Sequence, residues 1–212
     1  MNIGAAGLHT PAESQHLAEP PPEEELQRAR IYRLLARLLA TPPDAALLAG
    51  LAALPGDDSG LGRAFAILGR AAASAKPESV AEEYHDLFIG LTRGELLPYG
   101  SYYLTGFLNE KPLAALRGDL ASLGIARSAE VKEPEDHIAA LCEVMAGLID
   151  GAYGGPQPIA AQRQFCDAHV APWAGRFFAD LARAGAAVFY AAVAEFGRRF
   201  TEIERTAFAM EF

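Results

Sequence analysis

The chain has 212 residues, of which 51% are hydrophobic, enough for one sizeable core or two small lobes but not for several domains. Much of the apolar content is alanine and leucine, which favours helices over strands. The net charge of -9 and the pI near 5.0 argue against nucleic acid as a partner, because an acidic surface repels phosphate.

Cysteine usage and the N-terminal sequence indicate the compartment. Cys142 and Cys166 are too few for a disulfide framework, and their apolar helical surroundings predict buried thiols in a reducing cytoplasm. The N-terminus lacks the basic start and apolar run of a secretory signal. No stretch approaches about 18 uninterrupted apolar residues, so we expect no membrane-spanning helix and a cytoplasmic location.

In chain order, a polar, proline-rich segment comes first. Residues 1–22 cannot bury enough apolar surface to offset the entropy of ordering, so they are predicted to form a flexible tail. Residues 23–212 show helical periodicity punctuated by proline and glycine, with no convincing alternation of period 2 and no internal repeat. The sequence therefore predicts a single all-α domain. Its expected helices cover residues 23–40, 43–54, 60–75, 77–91, 102–109, 112–123, 134–151, 158–170, 172–184 and 186–209.

A polar connection interrupts the predicted helices at residues 124–133. It is expected to be a hinge between two lobes. Because a flexible connection allows lobes to be exchanged between copies at low cost, the protein is predicted to be a monomer or a helix-swapped dimer.

The motifs of common enzyme classes are missing from the sequence. There is no G-x-S-x-G elbow, no phosphate-binding G-x-x-x-x-G-K-[ST] loop and no G-x-G-x-x-G following a strand. Glu82-x-x-His85 has the spacing of a di-iron ligand pair, but the second Glu-x-x-His that such a site needs is absent. We therefore predict no catalytic residue and no cofactor.

A second metal pattern is Cys166-x-x-His169, which places two zinc ligands on one helical face. Their partners would be Cys142 and His137, which are five residues apart and point away from each other on one helix. No metal site is predicted from this geometry. A small helical metal-binding enzyme that uses His85, His137 and His169 is the alternative reading.

Aromatic residues are dense around a Gly/Pro loop, in Tyr84-His85-Asp86-Leu87-Phe88 and in Pro98-Tyr99-Gly100-Ser101-Tyr102-Tyr103. Ser101 is expected to cap the helix that follows it. The tyrosines fit two descriptions. They can line a groove that binds an extended or helical peptide, or they can bury their rings and leave their hydroxyls in water.

The segment Glu133-Pro134-Glu135-Asp136-His137 also has two explanations. A helix starting at Pro134 explains the proline and the two following acids, because proline suits the first turn and carboxylates suit its dipole. It does not explain His137, which falls at the edge of the apolar face. A histidine there needs a polar partner, which Asp136 or a residue across a groove can provide. Both a structural helix start and a functional site stay open on this reasoning.

At these segments the sequence resembles the TorD/DmsD/NarJ family, cytoplasmic chaperones of molybdenum-containing redox enzymes. The family's aromatic-x-x-Leu-Phe signature matches residues 84–88, and its Glu-Pro-x-Asp-His signature matches residues 133–137. Residues 97–104 resemble the family's Pro-aromatic-x-Ser segment. Residues 165–173 resemble its Phe…His-x-x-Pro-Trp stretch. Tyrosine stands at positions 84 and 99, where tryptophan is common in relatives, and Leu91 stands where many have proline.

The resemblance implies a non-enzymatic chaperone that binds the apo catalytic subunit of a molybdenum oxidoreductase and its twin-arginine leader peptide, assisting cofactor insertion and export quality control. It carries leader binding over to Tyr84, Leu87, Phe88, Pro98, Tyr99, Ser101, Asp136 and His137. On physical grounds Tyr103 joins the aromatic wall. The carboxylates of Glu133, Glu135 and Asp136 are suited to attract the leader's arginines. A generic helical adaptor without leader specificity is the third reading.

Overall fold

Helix-breaking residues and capping side chains set the boundaries of the helices in the computed structural model, which describes residues 8–9, 20–128 and 130–210. Asp44 and Ser59 cap their helices by accepting the amide protons of Leu47 and Gly62, and Pro77 occupies a first helical turn. The predicted all-α class is confirmed. Within the described residues the α-helices are α1 (Glu23–Ala40), α2 (Ala45–Ala52), α3 (Gly60–Ser74), α4 (Pro77–Tyr84), α5 (Gly100–Thr105), α6 (Lys111–Ser122), α7 (Ile138–Asp150), α8 (Ile159–His169), α9 (Ala174–Leu181) and α10 (Phe189–Met210).

The chain divides into two compact units. The first unit comprises the described residues up to Thr41 together with Tyr99–Pro172, and the second comprises Pro42–Pro98 and the described residues from Trp173 onward. The predicted hinge, residues 124–133, lies inside the first unit, and the boundaries between the units fall at other positions. The hinge, of which residue 129 lies outside the described residues, stays a prediction.

The core of the first unit forms between α1 and α7, with α8 packed on α7. Every residue of α7 is buried except Glu143 and Asp150, so this helix is the centre of the unit. Arg33 of α1 pairs with Asp150 at the far end of α7. Cys142 and Cys166 are buried thiols in the facing helices α7 and α8, as the sequence predicts, and burial raises the pKa of the Cys142 thiol.

One short strand pair accompanies the helices among the described residues. β1 (Leu8–His9) pairs in antiparallel fashion with β2 (Ala126–Arg127), so that Leu8 faces Arg127 and His9 faces Ala126. Two residues are too short for alternation to show in the sequence. The rest of the predicted flexible tail, except residues 20–22, lies outside the described residues.

The second unit is built on α10. This helix packs against α3 and α9. In the contact with α3, the ring centroids of Phe65 and Phe196 lie 4.7 Å apart. A side chain at Gly197 would overlap the ring of Phe178, so the glycine lets α9 approach α10 closely. The helix predicted over residues 77–91 is an α-helix only to Tyr84 and continues as a π-helical turn over His85–Ile89. Gly90 ends the turn with φ 61°, a conformation that other residues rarely adopt.

Candidate functional site

Two segments separated in the sequence meet at Tyr99 and His137, both in the first unit. These residues form an isolated antiparallel bridge, and the amide of Gly100 donates to the carbonyl of Asp136 at 2.9 Å. The rings of Tyr99 and His137 pack edge to face with centroids 5.2 Å apart. Backbone pairing therefore fixes the tyrosine segment beside the acidic segment.

The acidic segment also caps α5. Tyr99, which precedes this helix, offers no side-chain acceptor, and the Oδ2 atom of Asp136 accepts the amide proton of Ser101 at 2.7 Å instead. The expected capping by Ser101 is wrong, because the helix starts at Gly100 and Ser101 lies inside it. A carboxylate from a distant segment thus satisfies the start of a helix that has no local cap.

Two polar atoms at this junction have no hydrogen-bond partner. They are Oγ of Ser101 and Oδ1 of Asp136, although Ser101 is 0% and Asp136 3% exposed. Leaving a buried polar atom unpaired costs about 1–3 kcal/mol, so such atoms are uncommon in folded proteins. The junction therefore has a free acceptor and a free hydroxyl that an incoming hydrogen-bond donor would satisfy.

His137 is the N-cap of α7. Its Nδ1 atom accepts the amide proton of Ala139 at 3.1 Å, which places the proton of the neutral ring on Nε2. Burial lowers the pKa of His137 to about 4, so the ring is uncharged near neutral pH. The expected helix start at Pro134 is wrong, since α7 begins at Ile138 and residues 133–136 are non-helical. The helix dipole therefore does not explain Glu135 and Asp136.

Glu133 is the least buried of the three acids in this segment. It is half-buried, and its carboxylate accepts a hydrogen bond from the hydroxyl of Tyr99. Glu135 and Asp136, by contrast, are 8% and 3% exposed. Among these acids, Glu133 is the one that an approaching cation reaches without displacing buried structure.

Glu135 is already paired with two arginines of the first unit. Arg117 of α6 donates to Oε2 from Nε and Nη2 at 3.0 and 2.8 Å, and Nε of Arg127 lies 3.2 Å from Oε1. Burial alone raises the pKa of Glu135, but the Arg117 hydrogen bonds and both arginine charges outweigh it and lower the pKa. Its charge is therefore already compensated in this structure, and the attraction of a partner's arginines by Glu135 stays a prediction.

Arg127 also holds the backbone of the acidic segment. Its Nη1 atom donates to the carbonyls of Val131 at 2.7 Å and Glu133 at 3.2 Å. Sequence reasoning missed Arg117 and Arg127, because arginines in polar or amphipathic stretches give no local sign of a distant partner. Together they hold in place the segment that presents Glu133, Asp136 and His137.

The remaining predicted residues divide between the units. Tyr103 is half-buried on α5 in the first unit. Pro98 is buried in the second unit. Tyr84 and Leu87 of that unit are 6% and 0% exposed, whereas Phe88 is half-buried. The rings of Tyr84 and Phe88 pack on each other and on Tyr190 of α10, with centroids 5.0 to 5.9 Å apart. In this structure they belong to the aromatic core of the second unit, and a contact with a partner stays a prediction.

The histidines of the alternative reading have separate partners. His85 is exposed and lies 3.5 Å from Asp86, whereas Nε2 of His169 lies 2.6 Å from Asp119. Across residues 8–9, 20–128 and 130–210, no group of three or more His, Cys, Asp or Glu side chains is arranged to hold a metal ion. Over the same residues, no helix combines the length and apolar character needed to span a bilayer.

Comparison with known proteins gives consistent matches. The family model described as nitrate reductase delta subunit matches residues 54–179. A chaperone protein TorD of Aliivibrio salmonicida is 33% identical over 133 residues, which cover 59% of this chain and 62% of the relative. The TorD of Vibrio cholerae is 29% identical over 59% of this chain and 60% of its own length. The matched region therefore spans about three fifths of these curated relatives.

A solved structure shares the fold. It is the crystal structure of a putative redox enzyme maturation protein from Archaeoglobus fulgidus. The two align with a TM-score of 0.53 and 19% sequence identity, covering 89% of this chain and 99% of the other. At this identity the likeness concerns the fold alone.

Proposed function

Because this chain belongs to the nitrate reductase delta subunit family, the family that also contains TorD, we propose that it is a chaperone for the maturation of a redox enzyme. It binds the apo catalytic subunit of a molybdenum-containing oxidoreductase in the cytoplasm, assists insertion of the cofactor and controls export. It acts by binding, without catalysis of its own.

The chaperone recognises its client through the client's twin-arginine leader. The observation that supports this is the pairing of Tyr99 with His137. That pairing sets Glu133 against the Tyr99 hydroxyl at the edge of the first unit, half-buried and within reach of a cation. A guanidinium that pairs with Glu133 takes the place of the tyrosine hydroxyl and binds more strongly, because it carries a positive charge and can donate two parallel N–H bonds to the carboxylate. The Tyr99 ring then offers its face to the same cation.

The acids of this segment have different roles. Glu133 contacts the arginines, Asp136 fixes the start of α5, and Glu135 is held by Arg117 and Arg127. The Oδ1 atom of Asp136 and the hydroxyl of Ser101 are buried, so a donor from the leader reaches them only if the junction between α5 and the acidic segment opens. His137 contributes the Nε2 proton of its neutral ring as a donor.

A direct test measures the affinity of a fluorescent synthetic leader peptide that carries an Arg-Arg pair, by anisotropy. Glu133→Gln should weaken binding about tenfold, the loss of one charge-assisted contact. The affinity of the variant should also depend less on salt than that of the unaltered chain. Glu24→Gln, the same change at an exposed position of α1, is the matched control.

Glu133→Gln is a better probe than alanine at Asp136, because Asp136 caps a helix and its removal disturbs α5. Unchanged affinity in the folded Glu133→Gln variant would refute the placement of the leader. Capture of a redox catalytic subunit with an Arg-Arg leader from the native host separates this function from that of a generic helical adaptor.

Exchange of helices between copies through residues 124–133 is part of the proposal. Refolding at high protein concentration should give a fraction of dimer by light scattering, because a lobe that leaves one copy can complete another. Finding only monomer under all refolding conditions would contradict it.

A further inference from the structure

Large apolar side chains are exposed on the last turn of α5 and on the turn that follows it in the first unit. Leu104 is 42%, Phe107 69% and Leu108 42% exposed. These three residues are called the Phe107 turn below. The sequence indicates a helix over 102–109, whereas α5 ends at Thr105, so Phe107 and Leu108 lie outside the helix. None of the three belongs to the site described above.

The Phe107 turn is held in a defined conformation. Gly106 ends α5 with φ 85°, and its amide donates to the carbonyl of Tyr102 at 2.8 Å. The hydroxyl of Thr105 donates to the carbonyl of Ser101 at 2.8 Å and accepts the amide proton of Phe107 at 3.2 Å. Asn109 follows with φ 59°. Phe107 is therefore presented to solvent on a hydrogen-bonded turn, which lowers the entropy cost of binding a partner there.

α5 connects the Phe107 turn to the acidic segment. Its first turn is capped by Asp136, and its last residue precedes the glycine that starts the turn. A helix of this length spans about 9 Å. An extended peptide covers that distance in about three residues. A ligand with a cation at one end and apolar side chains a few residues further on matches this spacing.

We propose that the Phe107 turn docks the apolar stretch of a leader peptide whose arginines contact Glu133. The inference rests on the proposed function and adds the surface that recognises the second half of the leader. Charge and polarity support this occupant, because the acidic segment and the apolar turn lie at opposite ends of one short helix. A second copy of this chain would match the apolar turn but would not require the acids.

The test crosses protein variants with peptide variants in an anisotropy assay. The peptides are a synthetic leader with an Arg-Arg pair followed by about ten apolar residues, the same peptide with glutamines for the arginines, and the same peptide with serines for half of its apolar residues. Phe107→Ser should weaken binding of the first peptide about tenfold, as expected for loss of one large apolar contact. Val188→Ser, at another exposed apolar position, is the control.

The decisive result is the dependence on the peptide. Phe107→Ser should still weaken binding of the glutamine peptide and should have little further effect on binding of the serine peptide. Glu133→Gln should still weaken binding of the serine peptide and should have little further effect on binding of the glutamine peptide. If Phe107→Ser loses as much affinity for the serine peptide as for the first peptide, or loses none for the first peptide, the Phe107 turn is not the docking surface. The proposed function is unaffected by either result. If the unaltered chain binds none of the peptides, the leader proposal and this surface fall together. If light scattering shows a dimer that the Phe107→Ser variant does not form, and this variant binds the leader with unchanged affinity, the Phe107 turn is a self-association surface instead.

Discussion

The two units use the same device to start a helix, a carboxylate supplied by another element. In the second unit, Glu83 of α4 caps α10, where Oε1 accepts the amide protons of Val188 and Tyr190 and Oε2 accepts that of Phe189, at 2.6 to 3.0 Å. In the first unit, Asp136 caps α5 with Oδ2 alone, and its Oδ1 atom is buried without a partner. One cap uses both oxygens and the other uses one.

This difference separates a carboxylate that serves the fold from one with capacity left for a ligand. Glu95 follows the pattern of Glu83, since its two oxygens accept the amide protons of Gly185 and Ala186 just before α10. Buried polar atoms are normally paired, so the spare oxygen of Asp136 distinguishes the first unit as the place where binding is to be sought. The predictions below probe that contrast.

The largest effect is expected at the fully used cap. Glu83→Ala leaves three amides at the start of α10 without their acceptor and should reduce the free energy of unfolding by about 3 kcal/mol. Urea denaturation followed by circular dichroism measures this value. Glu82→Ala, at the exposed neighbouring position, should change the free energy of unfolding little. Equal losses in the two variants would show that the three amides do not depend on Glu83.

His137 should make the stability of the first unit sensitive to acid. Its pKa is about 4 in the folded chain and near 6.5 when unfolded, so the unfolded chain binds more protons between these values. Stability should therefore be complete above pH 6.5 and fall as the pH decreases toward 4, by about 2 kcal/mol at pH 5.

The variant His137→Asn isolates this contribution. Asparagine keeps a capping acceptor for the amide of Ala139 but does not titrate. Tyr99, whose ring packs on that of His137, is present in both chains. The difference in unfolding free energy between the two chains should vary with pH between 4 and 6.5, and a constant difference would contradict the assignment.

Arg127 should matter more for binding than for stability. Arg127→Lys keeps a charge near Glu135 but loses the hydrogen bonds to the carbonyls of Val131 and Glu133, and should cost about 1 kcal/mol of stability. The affinity for the leader should fall as well, because Glu133 is no longer held in place. Arg183→Lys, which alters an exposed pair with Asp180, should change neither quantity.

The smallest effect tests the cap with the spare oxygen. In Asp136→Asn the amide oxygen can still accept from Ser101, and the NH2 group occupies the unpaired position, so the cost should stay below about 1 kcal/mol. In Glu83→Gln an NH2 group must face an amide donor, which should cost about 2 kcal/mol. Thermal or urea unfolding of both variants compares them, and equal costs would remove the distinction between the units.

Part of the fold could be read directly from the chain. The sequence predicts the first helix at 23–40, where the structure has it, because three prolines precede it and Thr41-Pro42-Pro43 follows. The resemblance to the redox chaperone family, carried by short segments, is confirmed by the family match. These successes concern signals that act within a few residues.

The acidic segment shows why the site was harder to predict. Pro134, Glu135 and Asp136 have the composition of a helix start, yet α7 begins at Ile138. Asp136 accepts a hydrogen bond from the amide of Ser101, 35 residues away, and Glu135 accepts one from Arg117, 18 residues away. Local propensity could not anticipate these partners, since each is chosen by packing of distant elements.

By itself, the sequence determined the helical class, the breaks between helices and the family, because periodicity, proline and short motifs are local properties of the chain. Only the tertiary structure decided which of the three acids an approaching cation can reach. It bonded Asp136 to α5, paired Glu135 with two arginines and left Glu133 within reach, because a buried carboxylate must find its hydrogen bonds wherever folding brings a donor.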